Sequence, residues 1–368
     1  MQRAVARIDF GAVRANCERL KTELGEAELC AVVKADGYGH GVLGCAEAAL
    51  AGGATRLAVA TAAEAEQIGR RLQHVPLLTM GALTAEEVDG AISAGSELSV
   101  WREGFRRLVA DRARAHGHPT RLHVKFDSGM GRLGNRDAAE TIELARACAA
   151  DPNLELAGIW THFATADELD SGYFDEQLQR FDEVTKAVKA EHPTVTVHAA
   201  NSAAVLRDKR SHYEMARCGV AVYGLDPFQR DPAEQGLRPA LSLRSHVADV
   251  KRFPAGASAG YGRKWKAPVD TWVGVVPLGY GDGVRRALSN NADVLVGGRR
   301  RPLVGTVSMD NLTIDLGPET EVEPGDEAVL IGRQGEEEIL AEELAGRLET
   351  INYEVTCAIS PRVPRRAA

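Results

Sequence analysis

The chain has 368 residues, of which 44% are hydrophobic and 26% charged, and its formal net charge at pH 7 is -8. This length exceeds what one hydrophobic core usually organises, so two domains are expected. The acidic balance gives no reason to expect nucleic acid or an anionic membrane surface as a partner, and no long apolar run predicts a membrane span.

The N-terminus and the cysteines point to a reducing compartment. Arg3, Arg7 and Asp9 lie where a signal peptide needs an apolar stretch, so we expect a cytoplasmic location. The cysteines are scattered, and none forms a CxxC pair. Their small apolar neighbours favour mostly buried free thiols over disulfides or a metal site. They are Cys17, Cys30, Cys45, Cys148, Cys218 and Cys357.

Short apolar stretches alternate with helix-like segments from about residue 29 to residue 225. Helical spacing is clear in Ala85–Ala94, Ala138–Ala149 and Tyr173–Glu191. Eight strands alternating with helices favour a (β/α)8 TIM barrel over a doubly wound open sheet, and no GxGxxG follows an early strand. The predicted strands are Leu29–Lys34, Leu57–Thr61, Val75–Met80, Glu97–Trp101, Arg121–Asp127, Leu156–Phe163, Val195–Ser202 and Met215–Gly224.

The pattern changes after about residue 235, where Gly and Pro interrupt strand-like stretches and only Ala341–Leu348 is clearly helical. The fold class is therefore α/β, with a barrel over 1–235 and a mainly β domain over 236–368. The first few residues are candidates to join the β domain. The predicted β-domain strands are Ala240–Phe253, Thr271–Leu278, Asp293–Val296, Leu303–Val307, Leu312–Leu316 and Glu327–Gly332.

Polar and titratable side chains cluster where the predicted barrel strands end. Ligand-binding groups gather at the C-terminal ends of barrel strands, so their convergence on one rim predicts an active site. These residues are Lys34, Lys125, Asp127, His162, Asn201, Ser202 and Arg217.

The segment around Lys34 resembles the pyridoxal-phosphate attachment site of alanine racemases. It reads Ala-Val-Val-Lys-Ala-Asp-Gly-Tyr-Gly-His-Gly over residues 31–41. A neutral lysine amine can attach to an aldehyde and later act as a base, and crowding by cations lowers its pKa enough for that work. The resemblance implies pyridoxal 5'-phosphate as cofactor and a fold of type III.

Further segments resemble the same family in the same order. Lys125–Gly134 is similar to the strand with a carbamylated lysine and an arginine, which implies modification of Lys125 and a substrate contact from Arg132. Residues 161–167 are similar to the strand whose histidine, here His162, lies beside the pyridine ring. Residues 351–355 and 362–365 resemble the C-terminal signature of the family.

The resemblance also implies which residues bind the cofactor. Arg217 would face the pyridine nitrogen, where many pyridoxal enzymes place a carboxylate, and His162 would bond to Arg217. A guanidinium disfavours protonation of the ring, which weakens the electron sink and suppresses side reactions such as transamination. The phosphate would be held by Tyr38, Ser202, Gly219, Val220 and Tyr353, with Asn201 as a further cofactor contact.

Two β-domain segments match the family's catalytic and substrate-binding positions. Ala259–Arg263 implies Tyr261 as the second base, opposite Lys34, and Gly305–Asp310 implies substrate contacts from Met309 and Asp310. In the family both segments come from the partner subunit, so the resemblance implies a homodimer with shared sites. Asp167, Tyr280 and Arg286 match the entrance, whereas Thr306 and Ser308 depart from the arginine and cysteine of some members.

The function indicated is therefore interconversion of L-alanine and D-alanine by two bases, supplying D-alanine for peptidoglycan. A racemase acting on serine or basic amino acids remains open, because pocket volume decides the substrate range. A pyridoxal-dependent decarboxylase is disfavoured by Tyr261 and Arg217. A non-catalytic cofactor carrier has no use for the β-domain residues Tyr261 and Met309.

Overall fold

A computed structural model describes residues 3–368 and divides the chain into two compact units. The barrel unit contains residues 13–37 and 42–222. The β unit contains residues up to Ala12, residues 38–41 and residues 223–368. The chain passes from the barrel unit to the β unit for the last time between Val222 and Tyr223. The domain boundary at 235/236 stays a prediction of the sequence.

The barrel unit is built on eight parallel strands that close in chain order, which confirms the predicted barrel. Each predicted stretch overlaps one strand. All eight observed strands end earlier than expected, because the residues at the predicted ends already belong to the connecting loops. The strands are Glu28–Val32, Arg56–Val59, Leu77–Thr79, Glu97–Val100, Thr120–Lys125, Leu154–Trp160, Thr196–His198 and Met215–Cys218.

Helices surround the strands of the barrel unit. Thr61 and Thr84 begin two of them with capping boxes, in which each threonine hydroxyl accepts from the amide three residues later and the glutamate there accepts in return. The longest helix packs Phe174 and Phe181 into the core. The helices are Phe10–Leu24, Val42–Ala51, Ala62–Arg71, Ala85–Ser93, Glu103–His116, Ala138–Ala150, Tyr173–Glu191 and Ser202–Arg207, with 3-10 turns at Lys209–Ser211 and Val220–Tyr223.

The β unit is built on one ten-stranded sheet, as the mainly β prediction requires. Glu337–Ile339 pairs at one side with Glu327–Gln334. In order across the sheet the other nine strands are Asp249–Phe253, Thr271–Val276, Leu312–Gly317, Arg299–Val304, Asp293–Val296, Glu327–Gln334, Leu241–His246, Ala4–Ile8 and Arg365–Ala367.

The β unit differs from the prediction at several elements. Ala240–Phe253 is not one strand but two, because the chain leaves the sheet at Val247, whose amide donates to Asp326. The strand Ala4–Ile8 and the helix Asn352–Cys357 were not predicted, and the helix Ala341–Arg347 was. Two short strands, Ser258–Ala259 and Trp265–Lys266, form a separate hairpin. The 3-10 turns are Pro232–Gln235, Tyr261–Arg263, Tyr280–Asp282 and Arg286–Leu288.

The helices of the described residues were compared with the length and apolarity of membrane-spanning helices. Among residues 3–368, none combines the length and the apolarity that a bilayer crossing needs. This finding agrees with the absence of a long apolar run in the sequence.

Two glycines of the β unit provide a matched test of backbone crowding. Gly224 and Gly256 have φ of +74° and +84°, but a methyl group on Gly224 would lie 1.7 Å from the carbonyl oxygen of Arg238, whereas Gly256 has open space. We expect Gly256→Ala to cost about 1 kcal/mol for its left-handed backbone and Gly224→Ala to cost at least about 3 kcal/mol. Urea unfolding followed by circular dichroism measures both, and equal midpoints would contradict the crowding argument.

Candidate active site

Lys34 lies at the start of an unusual turn that follows the first barrel strand. The four residues from Ala35 to Tyr38 all have left-handed backbone, with φ between 52° and 62°. Only one of the four is glycine, so the turn is strained and depends on its hydrogen bonds. One of them runs from the amide of Ala35 to Glu64, at 2.6 Å. The turn fixes the backbone from which the Lys34 side chain extends.

Lys125 is buried among other cations of the barrel unit. Burial, followed by the charges of Arg217 and Arg132, lowers the pKa of Lys125 to about 7; Lys34 adds to the effect and Asp127 opposes it. Burial and the same four basic residues also hold the pKa of His162 well below its usual value. The structure therefore brings together six of the residues that the sequence singled out.

Arg217 lies inside the barrel, and the acceptors around it are uncharged. Its Nη2 donates to the carbonyls of Thr161 and Ala199, at 2.8 and 3.0 Å, and lies 3.3 Å from Nδ1 of His162. Its Nη1 donates to Nδ1 of His198 at 2.9 Å. Burial lowers the pKa of Arg217 to about 10, so the guanidinium remains a cation at neutral pH.

Trp160 forms an aromatic platform beneath these cations. The Lys125 ammonium lies 4.0 Å and the Arg217 guanidinium carbon 4.6 Å from the centroid of a Trp160 ring. The ring of His198 stacks parallel to Trp160 with centroids 5.7 Å apart. Because the electron-rich faces of the indole attract cations, Trp160 stabilises positive charge in a buried place.

The predicted phosphate-binding residues of the barrel unit are ordered by their own hydrogen bonds. Asn201 caps the helix Ser202–Arg207, where its side chain accepts from the amide of Ala204 at 3.0 Å. The hydroxyl of Ser202 accepts from the amides of Gly219 and Ala221, at 3.0 and 3.3 Å. These contacts link the segments that contain Ser202, Gly219 and Val220.

Tyr38 and Tyr353, the remaining predicted phosphate contacts, meet within the β unit. Their ring centroids are 6.1 Å apart. Tyr223 lies 5.1 Å from Tyr38 and 4.6 Å from His40, again between ring centroids. Tyr38 is buried, and the four rings form one aromatic cluster. The His40 ring therefore packs as part of this cluster.

The predicted catalytic and substrate-binding residues of the β unit lie on its surface. Tyr261, Met309 and Tyr280 are 73%, 52% and 44% exposed. The segments that contain Tyr280 and Met309 are tied together, because the amides of Tyr280 and Gly281 donate to the carbonyls of Ser308 and Met309, at 3.0 and 2.9 Å.

Three other predicted residues are also exposed. Asp310 accepts from Arg362 at 2.7 Å, and Arg286 begins a short 3-10 turn of the β unit. Asp167 lies on an exposed loop of the barrel unit. Arg132 is also exposed, although its charge acts on Lys125 and His162.

Comparison with known proteins decides the family. Residues 8–227 match the model of the alanine racemase N-terminal domain, and residues 240–367 match that of the C-terminal domain. The chain belongs to the alanine racemase family. Members of this family are isomerases that depend on pyridoxal phosphate.

Individual relatives agree over the whole chain. An alanine racemase of Frankia casuarinae is 42% identical over 99% of this chain and 96% of that protein. Alanine racemase 1 of Bacillus subtilis is 42% identical over 98% of this chain and 92% of its own length. The crystal structure of an alanine racemase from D-cycloserine-producing Streptomyces lavendulae covers 100% of this chain and 97% of its own, with 36% identity and a TM-score of 0.95.

The residues of the barrel unit fit the anionic cofactor of the alanine racemase family. Lys34, Lys125, Arg132 and Arg217 form a cluster in which Asp127 is the carboxylate that acts on Lys125. Such a cluster repels itself until an anion arrives, and a phosphate, a phenolate or a substrate carboxylate satisfies it. Lys34 provides the amine that the cofactor aldehyde requires.

Several residues around Arg217 were missed by sequence analysis. Glu97, His123, Trp160 and His198 are all buried. The candidates were taken from the predicted ends of the strands, whereas these four residues lie within the apolar stretches. The available signal was an acid and two histidines at positions where a filled barrel usually has branched apolar residues.

The lowered pKa of Lys125 predicts pH-dependent reaction with carbon dioxide. Only the neutral amine attacks carbon dioxide, and with a pKa of about 7 its neutral fraction falls about tenfold for each pH unit below 7. We expect a carbamate signal in 13C NMR of protein in 13C-bicarbonate at pH 8 and its loss toward pH 5. Lys125→Arg should abolish the signal, and Arg substitution of the exposed Lys186 should leave it. A signal indifferent to both variants would contradict the assignment.

Proposed function

We propose that this protein interconverts L-alanine and D-alanine, with pyridoxal 5'-phosphate bound at the barrel and with Lys34 and Tyr261 as two bases. The observation that supports this proposal most is the cluster of Lys34, Lys125, Arg132 and Arg217 on one barrel, in a chain of the alanine racemase family. A cytoplasmic location and supply of D-alanine for peptidoglycan belong to the same proposal and are supported by family membership.

The reaction must remove the α-proton of alanine on one face and return a proton on the other. When bound, the cofactor delocalises the negative charge left at the α-carbon. Lys34 holds or accepts the proton on the face of D-alanine, and Tyr261 of a partner subunit serves the face of L-alanine. Two bases on opposite faces achieve inversion without rotation of the substrate.

Arg217 controls which reaction the cofactor favours. A guanidinium is a donor only and does not give up its proton to the pyridine nitrogen. Arg217 and His162, whose nitrogens lie 3.3 Å apart, therefore keep the ring nitrogen unprotonated in this proposal. A weaker electron sink limits side reactions such as transamination, which suits an enzyme that needs only proton transfer.

The remaining predicted residues bind and orient. Arg132, Met309 and Asp310 are proposed to contact the substrate, and a carbamylated Lys125 would pair with Arg132, because modification converts its cation into an anion. The phosphate contacts proposed are Tyr38, Ser202, Gly219, Val220 and Tyr353, and Asn201 is proposed as a further cofactor contact. The entrance contacts proposed are Asp167, Tyr280 and Arg286.

A homodimer with shared sites is part of the proposal. Large side chains are rarely exposed together on a surface that stays in solvent, and Tyr261, Met309 and Tyr280 are each more than 40% exposed in one chain. Tyr261 also lines an open pocket of about 350 Å³ on the β unit, together with Gly260, Thr306 and Ser308. A partner barrel placed against this surface would cover these side chains.

The direct test is racemisation by purified protein supplied with pyridoxal phosphate. We expect L-alanine to be converted to D-alanine, with L-serine and L-lysine converted far more slowly, as measured by chiral chromatography. Borohydride should fix the cofactor to the peptide that contains Lys34 and abolish activity. Conversion of serine or lysine at a rate equal to alanine would favour a broader racemase, and label on another lysine would contradict the role of Lys34.

Shared sites predict recovery of activity by subunit mixing. Lys34→Ala and Tyr261→Phe should each be inactive alone, but a heterodimer would combine one intact barrel with one intact Tyr261. Statistical mixing should restore roughly a quarter of parental activity, since half the dimers carry one good site of two. Lys34→Ala mixed with Arg217→Ala places both defects on barrels and should restore none. Absence of recovery after verified subunit exchange would refute sharing.

A further inference from the structure

The interior of the barrel contains a line of polar side chains that extends from Arg217 toward the opposite end. Barrels of this kind are usually filled with branched apolar residues. Here Nε2 of His198 lies 2.8 Å from Nδ1 of His123, although one barrel strand lies between the two strands that contain these histidines. On the other side of His123, its Nε2 lies 2.5 Å from Oε2 of Glu97. We call Glu97, His123 and His198 the lumen chain.

Hydrogen-bond polarity fixes every proton in the lumen chain. Arg217 can only donate, so Nδ1 of His198 accepts and its proton must lie on Nε2. That proton points at Nδ1 of His123, which therefore accepts and keeps its own proton on Nε2. Nε2 of His123 then donates to Glu97. Both imidazoles must be neutral, because a second proton on either would oppose a donor.

The titration of these groups agrees with that assignment. Burial, then the charge of Arg217, holds the pKa of His198 well below its usual value, and burial lowers the pKa of His123. Burial alone would raise the pKa of Glu97, but hydrogen bonds from His123 and Arg56 outweigh it and lower the pKa to about 2. These directions agree with an anionic Glu97 and two neutral histidines at neutral pH.

Glu97, the end of the lumen chain away from Arg217, is anchored at the N-terminal end of the barrel. Glu97 also accepts from Arg56 and from Arg121, the latter at 2.8 Å. These three residues line a cavity of about 670 Å³ at that end. The sequence also makes room for the chain, because a methyl group on Gly158 would lie 2.2 Å from Nδ1 of His123.

We propose that Glu97, His123 and His198 are positioning residues for Arg217. Glu97 fixes the tautomer of His123, which fixes that of His198, so that a lone pair always faces Nη1 of Arg217 and holds the guanidinium in one orientation. Without this acceptor the buried guanidinium would rotate or pair elsewhere. This inference rests on the proposed function, in which Arg217 faces the pyridine nitrogen of the cofactor.

A lumen-chain variant can be compared with a control that only weakens the barrel. His123→Leu is close in volume and removes both hydrogen bonds in the middle of the chain, while it keeps the pair of Glu97 and Arg56. The control is Thr79→Val, which breaks a buried hydrogen bond of 2.7 Å to Ser96 elsewhere in the barrel unit. Arg121→Met is a second control, because it removes one partly exposed partner of Glu97 while His123 and Arg56 still donate to the carboxylate.

The experiment compares holoenzymes reconstituted with pyridoxal phosphate labelled with 15N at the ring nitrogen. We expect His123→Leu to shift the 15N resonance and to lower kcat by about 10- to 100-fold, as outer partners of functional groups typically do. Both controls should keep the parental resonance and kcat within about twofold, whatever their thermal stability. His123→Met, which likewise neither accepts from His198 nor donates to Glu97 but adapts more easily to the space, should shift the resonance in the same direction and replaces His123→Leu if that variant fails to fold.

Each outcome decides the question. A parental resonance and kcat in folded His123→Leu would overturn the positioning role while leaving the proposed function intact. Equal changes in His123→Leu and Thr79→Val would reduce the chain to a structural element. A parent protein that neither binds the cofactor nor racemises alanine would overturn the proposed function and this inference with it.

Discussion

The chemistry of this molecule depends on a cation held inside a barrel without an adjacent anion. Arg217 is buried, and its four acceptors in the described structure are two carbonyl oxygens and two imidazole nitrogens. A buried charge is costly unless every donor is satisfied, and neutral acceptors satisfy donors without cancelling charge. The guanidinium therefore remains available to act electrostatically on whatever lies beside it. Trp160 adds to the same effect through its ring.

Much of the fold could be predicted from the sequence because the barrel repeats one pattern. Eight apolar stretches separated by helical segments were enough to identify it, and parallel strands buried on both faces leave a strong signal. The β unit was harder. Ala4–Ile8 alternates buried and partly exposed residues over only five positions, and its partners Leu241–His246 and Arg365–Ala367 are distant in sequence. Pairing between such distant segments leaves no local trace.

Part of the candidate site could likewise be predicted from the sequence, and part could not. Lysine, histidine and arginine at strand ends were visible, and the motif around Lys34 made them specific. The sequence could not show which groups these side chains bond to. Asn201 and Ser202, for example, accept from backbone amides and so order the local backbone. Residues such as His123 and His198 look like ordinary core histidines until the closed barrel brings their rings together. Their significance is a property of the three-dimensional arrangement and not of either segment.

The turn after Lys34 has a consequence that concerns chirality. Three of its four left-handed residues, Ala35, Asp36 and Tyr38, are L-amino acids in a conformation that their mirror images prefer. Each costs roughly 1–2 kcal/mol relative to right-handed backbone. A chain made by chemical ligation with D-alanine at position 35 would place that residue in the backbone region its own enantiomer prefers and so remove the cost at this one position. The natural protein keeps the strain, and the hydrogen bond that the Ala35 amide donates to the Glu64 carboxylate helps to hold the turn in place.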